Sequence, residues 1–261
     1  MSQLVSLMYH GLFTNEVELL RTIDLPDRPY AVSAATFERH LDLMAEAGLS
    51  IIDPQALPGA LPARGVVLTF DDGHASNATL AVDILVRRGL KAVFFATSDF
   101  IGARPHFCSW AQLRDMAQAG MLIGSHGRTH RFFDDMSDTE ASAEFKVSRE
   151  RLEQGTGQKV DQISFPGGRY KRAQLKLGEA EGYKLFYTSQ VGVHRETALV
   201  PGAEVSRIAV RQGTDDTRFM AYASAARGTV FKARSVAAAK QAVRRVAGNK
   251  LYHLVYEKLA R

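Results

Sequence analysis

Short runs of apolar, β-branched residues alternate along the chain with longer stretches whose apolar positions recur every three or four residues. The runs fall at 4–10, 49–53, 65–70, 91–98, 121–125, 162–166, 184–189 and 206–211. They are nearly continuous rather than alternating, as expected of strands covered on both faces in a parallel sheet. Between them the longer period predicts helices. One begins after Ser33, places Phe37, Leu41, Met44 and Ala45 on a common face, and stops at Gly48. Two more end at Gly89 and Gly120, and a Ser137–Glu140 capping box opens a helix that ends at Gly155. This strand–helix–glycine–strand rhythm predicts an α/β fold: a distorted, incomplete (β/α) barrel of about seven parallel strands, plus C-terminal helices.

Composition agrees with one such barrel. The chain has 261 residues, 46% of them hydrophobic and 23% charged, enough for a sizeable core. We assign residues 1–225 to the barrel and 226–261 to a helical tail. The single cysteine, Cys108, excludes an intrachain disulfide. No basic residue precedes Arg21, and no segment reaches the ~20 apolar residues of a membrane span. The expected location is the cytoplasm.

Charge separates the tail from the body. From Phe231 onward eight basic residues face one acid, Glu257; that is +7 of a total of +5, so the rest of the chain sums to −2. The tail reads as two amphipathic helices broken at Gly248-Asn249. Such helices either pack on the barrel with their charges in water or lie against anionic lipid, a peripheral contact at the inner membrane surface. Nucleic acid is not an expected partner, because the tail lacks interleaved aromatics beyond Tyr252 and Tyr256.

The chemistry-bearing residues cluster at the C-terminal ends of predicted strands, where α/β folds build their sites. "SHGRTH" (125–130) carries two imidazoles four apart. On one helical turn His126 and His130 face the same way and can share a metal; the alternative is a pair of surface histidines in a polar loop. "TFDDG" (69–73) supplies the third ligand, Asp72, and leaves Asp71 beside the open position as a base for water. An ordinary strand-to-turn junction is the competing reading of that pair.

With "MYHGL" near the start, "KAVFFATSDFIG", "WAQLRDMAQAGMLIGSH" and "FPGG" (165–168), these motifs resemble the polysaccharide deacetylases, carbohydrate esterases with a NodB-homology domain. The resemblance spans roughly residues 4–211. It implies Asp71 as catalytic base and Asp72, His126 and His130 as ligands of a divalent metal. Zinc suits these ligands best, and cobalt, nickel or manganese also fit. The implied reaction is hydrolysis of the N-acetyl amide of an acetamido sugar, in a glycan or a nucleotide- or lipid-linked precursor. Two rivals remain: a carbohydrate-binding barrel without turnover, and a metal-dependent amidase for small non-sugar substrates such as cyclic ureides.

Three positions depart from the family pattern. The arginine that often stands two residues before the proline, paired with the base, is Ser164 here. Arg169 or Arg172 is the expected substitute. The tyrosine after the proline is Gly167, which predicts an open cleft in which Gly167 N–H, fixed by Pro166, meets the oxyanion. The family's histidine acid near the last strand is absent from "SRIAVRQGTD", which leaves His10 and His194 as candidates. Ser125 and Thr129 are expected to orient ligands, Phe107 and Trp110 to stack on a sugar or pack on the barrel, and His74 to lie at the surface.

Overall fold

The protein is described by a computed structural model covering residues 2–236 and 238. Seven staves form a parallel sheet wound into a barrel: β1 (Leu4–Tyr9), β5 (Gly65–Phe70), β6 (Val93–Ala96), β7 (Leu122–Ser125), β8 (Gln162–Ser164), β9 (Leu185–Tyr187) and a last stave broken at Ser206 into β10 (Ala203–Val205) and β11 (Arg207–Ala209). β10 pairs with β9 and β11 with β1, so one stretch of chain joins the two ends of the sheet. That closure was not legible in the apolar runs, since Ala203–Val205 fell outside them. The seam between β7 and β8 is a single residue pair, Ser125 with Ile163, which accounts for the distortion.

Short elements fill in the rest. β2 (Leu12–Phe13) pairs with β3 (Val32–Ser33), which closes the neck of an excursion carrying α1 (Glu16–Thr22). β4 (Ser50–Ile51) pairs with the start of β5, below the pairing with β6. The helices are α2 (Ala34–Glu46), α3 (Val82–Arg87), α4 (Trp110–Gln118), α5 (Asp138–Thr156), α6 (Gln174–Ala180) and α7 (Asp216–Ala223).

Local chemistry sets the helix bounds. Ser33 Oγ accepts from Thr36 N at the start of α2, and Ser137 with Glu140 forms the expected capping box of α5. α5 runs past Gly155 to a left-handed Gly157. The helix predicted to end at Gly89 is not uniform: a π-helical turn at Asn77–Ala81 precedes α3. That wider turn carries Asn77, whose Nδ2 donates to His10 O at 2.9 Å.

Strand alternation splits the core in two. Val66, Leu68 and Phe70 of β5 join Phe37, Leu41, Leu113 and Phe145 in the layer between barrel and helices. Val67, with Leu4, Val93, Phe95, Tyr187 and Val205, forms a second cluster inside the barrel. Leu57, Leu61 and Leu199 seal that interior from the N-terminal end of the staves. Gln162 strengthens the seal by donating to Pro54 O and Leu57 O. The lower barrel is thus packed shut, and the mouth at the C-terminal ends of the strands is where polar side chains gather.

Residues 227–236 of the tail are helical; the rest of the two-helix expectation and its membrane contact lies outside the described residues. Among the described residues no helix is long and apolar enough to cross a membrane.

Candidate metal centre and active site

β5 delivers both aspartates to the mouth, in different ways. Alternation points Asp71 inward, where its side chain is only 4% exposed. A continued strand would turn Asp72 outward. Instead Asp72 adopts φ 76°, which breaks the strand and swings its carboxylate to the same cleft. Asp72 Oδ1 lies 3.2 Å from His126 Nε2 and 3.2 Å from His130 Nε2.

The two histidines do not converge on a helical turn as their spacing predicts. Residues 126–130 are a loop, with Gly127 at φ 76° and His130 at φ 66°. Glu144 of α5 holds this loop by accepting from the N–H groups of Arg128 and Thr129 and from Thr129 Oγ1. A β-carbon at Gly127 would stand 3.2 Å from Glu144 Oε2, at a φ that disfavours one anyway. Ser125 Oγ donates to Ser148 Oγ and accepts from Gly127 N.

The donor set fits a metal ion. Asp72, His126 and His130 each offer one ligand atom, and the three atoms lie within 4.8 Å of one another. His126 Nδ1 donates to Ser164 O at 2.9 Å, which leaves the Nε2 lone pair of the neutral ring facing the Asp72 carboxylate. Two acceptors so placed need a cation between them. Ligand atoms ~2.0–2.2 Å from a tetrahedral zinc stand roughly 3.3 Å apart, close to the 3.2 Å found here. For Asp72, burial raises the pKa, but the His126 and His130 imidazoles at 3.2 Å outweigh it and hold the carboxyl well below its ordinary value.

Asp71 is clamped by a residue the motifs did not suggest. Arg207, at the start of β11, reaches up the barrel interior and donates from Nη1 to Asp71 Oδ1 at 2.7 Å and from Nη2 to Oδ2 at 2.8 Å. Ser164 Oγ donates to Asp71 Oδ2 and accepts from Arg207 Nη2. Thr188 O and Thr69 Oγ1 take further Arg207 N–H groups. Burial pushes the Asp71 pKa up, yet the Arg207 charge, then His126, brings it below the ordinary value. Ser164 therefore marks no missing arginine, because the cation arrives from another stave. A lone arginine in an otherwise apolar strand was the available signal.

Arg169, the expected substitute, does not face the base. It is buried, pairs with Asp134 and Asp135 at 3.0 and 3.1 Å, and lies 4.3 Å over the Phe132 ring. It fastens the loop after His130 to the Pro166–Gly168 turn. Arg172 is exposed. The cleft at Gly167 is also not open, since Phe132 Cε1 lies 2.8 Å from where a β-carbon would be. Gly167 adopts φ 60°, and Pro166 is buried beside it.

The two candidate acids part company. His194 bridges Leu4, at the start of β1, through both backbone groups. It therefore sits at the sealed end, a strand length or on the order of 20 Å from the mouth. Its Nε2 accepts from Ser206 N, so it stabilises the break in the last stave rather than serving the site. His10 follows β1 at the mouth. It shares a cavity of about 230 Å³ with Asp72, Asp27 and Phe107. Its Nδ1 has no hydrogen-bond partner among the described residues, and Tyr30 packs at 5.0 Å against its ring. Burial lowers the His10 pKa, while Asp72 and Asp71 oppose the shift.

Other walls of the cleft were not foreseen. An adjoining cavity of about 320 Å³ is lined by Asp72 and His130 together with Leu25, Asp27, Phe100 and Arg104. Asp27 is pushed up to about 7 by burial and then by Asp72, against the pull of His130. His74 is buried rather than at the surface, and bonds Ser76 and Thr22 O. Phe107 lines both cavities, whereas Trp110 opens α4 and covers Gly155.

Fold and site define a class: a (β/α) barrel with a carboxylate–histidine centre at its mouth and a clamped aspartate beside it. The polysaccharide deacetylase family model matches residues 59–186. YxkH of Bacillus subtilis (strain 168), a protein named for the same family, is 26% identical over 85% of this chain and 76% of its own length. Among solved structures, the Streptococcus pyogenes deacetylase PplD in complex with acetate has a TM-score of 0.69 at 25% identity, over 82% of this chain and 94% of that one. IcaB from Ammonifex degensii has a TM-score of 0.69 at 22% identity, covering 86% and 98%. Over residues 59–186 the chain is thus similar to the polysaccharide deacetylase family, and its barrel matches that of the solved deacetylases.

Proposed function

We propose that this chain is a metal-dependent N-deacetylase of an acetamido sugar, in a glycan or a glycan precursor. The observation that carries the reading is the side-by-side arrangement of the Asp72–His126–His130 cluster and an Asp71 held ionised by Arg207. Bound there, a divalent ion such as zinc, cobalt, nickel or manganese supplies Lewis acidity to the amide carbonyl.

The protein's own groups do the remaining work. Asp71, fixed in both oxygens by Arg207, takes the proton of the attacking water. Gly167 N–H, in the turn set by Pro166, stabilises the charge that develops on the carbonyl oxygen. His10 delivers a proton to the departing amine; its burial keeps the ring's pKa low, so the protonated form gives its proton up readily. Phe107 and Phe100 offer apolar faces for the sugar ring.

Acetate release from a panel of N-acetylated sugars, with each divalent metal in turn, tests this. Cyclic ureides serve as the competing substrate class. Release from acetamido sugars that disappears in Asp71→Asn is expected. Sugar binding without release in the wild type would point to a binding barrel, and ureide turnover in its place to an amidase.

A further inference from the structure

A further cavity, about 540 Å³, opens on the far side of the segment that walls the metal cleft. It lies between residues 25–30 and the turn that follows β11, which Gln212 N ties together by donating to Pro29 O. Its lining contains three arginines, Arg28, Arg211 and Arg218, and no acidic side chain. A volume of this size takes a sugar-sized group with its substituent.

None of the three guanidinium groups has a carboxylate partner among the described residues. Arg28 donates from Nε and Nη2 to the carbonyls of Ile23 and Leu20. Arg211 donates from Nη2 to Tyr30 Oη and lies 4.8 Å over that ring. The Arg218 guanidinium bonds nothing among the described residues; the Oδ1 of nearby Asp215 accepts from the Arg218 backbone N. Arg39, by contrast, is paired with Asp216 and Arg87 with Glu38. Three uncompensated forks around one hollow form a receptor for an oxyanion, and guanidinium geometry matches phosphate in two-point contact.

The hollow adjoins the reaction site across this wall. Leu25 lines both this cavity and the one that holds Asp72 and His130. Tyr30 stands between the two, packed against the His10 ring on one side and carrying Arg211 on the other. A ligand that touches both Arg211 and the metal cleft therefore has to span the Tyr30 side chain.

Resting on the deacetylase reading, we propose that the Arg28–Arg211–Arg218 cavity binds a phosphoryl group carried by the substrate next to its acetamido sugar. The substrate class is then a phosphorylated acetamido sugar. A phosphodiester within a glycan and a sugar diphosphate linked to a nucleotide or a lipid present the same group.

Binding is measured by calorimetry on the full chain, both zinc-loaded and after chelation, with N-acetylglucosamine 1-phosphate against methyl N-acetylglucosaminide. The phosphate form is expected to bind at least tenfold more tightly in both states, with an advantage that shrinks as salt rises. Arg211→Gln with Arg218→Gln is expected to remove that advantage, on the order of tenfold per arginine. Arg218→Gln alone repeats the test without disturbing any side-chain contact of the fold. Equal binding by variant and wild type, or phosphate binding that vanishes on chelation, overturns the proposal. So does a glucuronate-bearing disaccharide that binds as tightly as the phosphate. Comparing the monophosphate, the uridine diphosphate sugar, a prenyl diphosphate sugar and a phosphodiester-linked oligosaccharide assigns the source. Because the chelated chain reads binding without turnover, loss of the deacetylase reading would show as intact phosphate binding with no acetate released from any substrate.

Discussion

Replacing Arg207 with methionine isolates what the buried clamp contributes. The Arg207 and Asp71 side chains are 0% and 4% exposed, so water cannot replace the lost cation. Breaking a buried pair from one side costs ~3–5 kcal/mol. At about 2–4 °C per kcal/mol for a chain of this size, Tm near neutral pH should fall by on the order of 10 °C. The pH dependence gives the sharper test. In the wild type Asp71 lies below its ordinary value despite burial, so its contribution is present above the unfolded pKa of about 3.9 and is lost as pH falls through the folded value. Without Arg207, burial dominates and the folded pKa rises above the unfolded one. The sign then reverses: the variant loses stability as pH rises between the two values, and its Tm deficit shrinks toward acid. Circular-dichroism melts between about pH 4 and pH 8 read this directly, and the acid limb of the rate profile should move up with it. A double-mutant cycle with Asp71→Asn should show coupling of at least ~1 kcal/mol. A Tm within ~2 °C of wild type, or a deficit that is the same at every pH, would refute the reasoning.

Other expectations follow from the same geometry. Zinc at about a hundred times its Kd should stabilise the protein by ~2.7 kcal/mol in thermal melts, an effect Asp72→Asn should abolish; a Tm indifferent to zinc and to chelator would count against the centre. Glu144→Gln should weaken zinc binding ~10–100-fold in a competition titration, because it loosens the loop that positions His130. His10→Gln should lower kcat by ~10²–10⁴ and flatten the alkaline limb of the pH profile while zinc affinity holds; unchanged kcat removes His10 as the acid. Gly167→Ala should cost ~1–3 kcal/mol, since it combines φ 60° with a contact on Phe132; a melt identical to wild type would mean the turn relaxes freely.

What sequence made legible is what depends on neighbours along the chain. The apolar runs located β5 to the residue, and the Ser137–Glu140 box placed the start of α5, because both signals are local. The Asp72, His126 and His130 cluster was legible for a related reason: two histidines four apart directly after a strand end stay near that end whatever the loop does. The loop itself was misread. Its left-handed Gly127 and His130 are held by Glu144, fourteen residues beyond His130, and no periodicity reports such a brace. His194 failed similarly, since its place depends on a long return beneath the barrel to Leu4.

Arg207 shows why a barrel defeats motif counting at one point in particular. Inside a closed ring of staves, a target at the mouth is within reach of an inward-facing position on several strands. The long arginine side chain can therefore serve Asp71 from β11 as well as from β8, provided the position it vacates is small. Ser164 satisfies that condition: it leaves room for the guanidinium and adds a hydroxyl that bonds both partners. The last stave is also the one that β1 and β9 hold from both sides across the Ser206 break, so the clamp is anchored where the barrel closes. On this argument the departure at Ser164 and the presence of Arg207 are one feature. Moving the arginine back, with Ser164→Arg and Arg207→Ser together, should recover stability that Arg207→Ser alone loses. If the double variant is no more stable than the single, Ser164 and Arg207 are independent and the clamp is not transferable between staves.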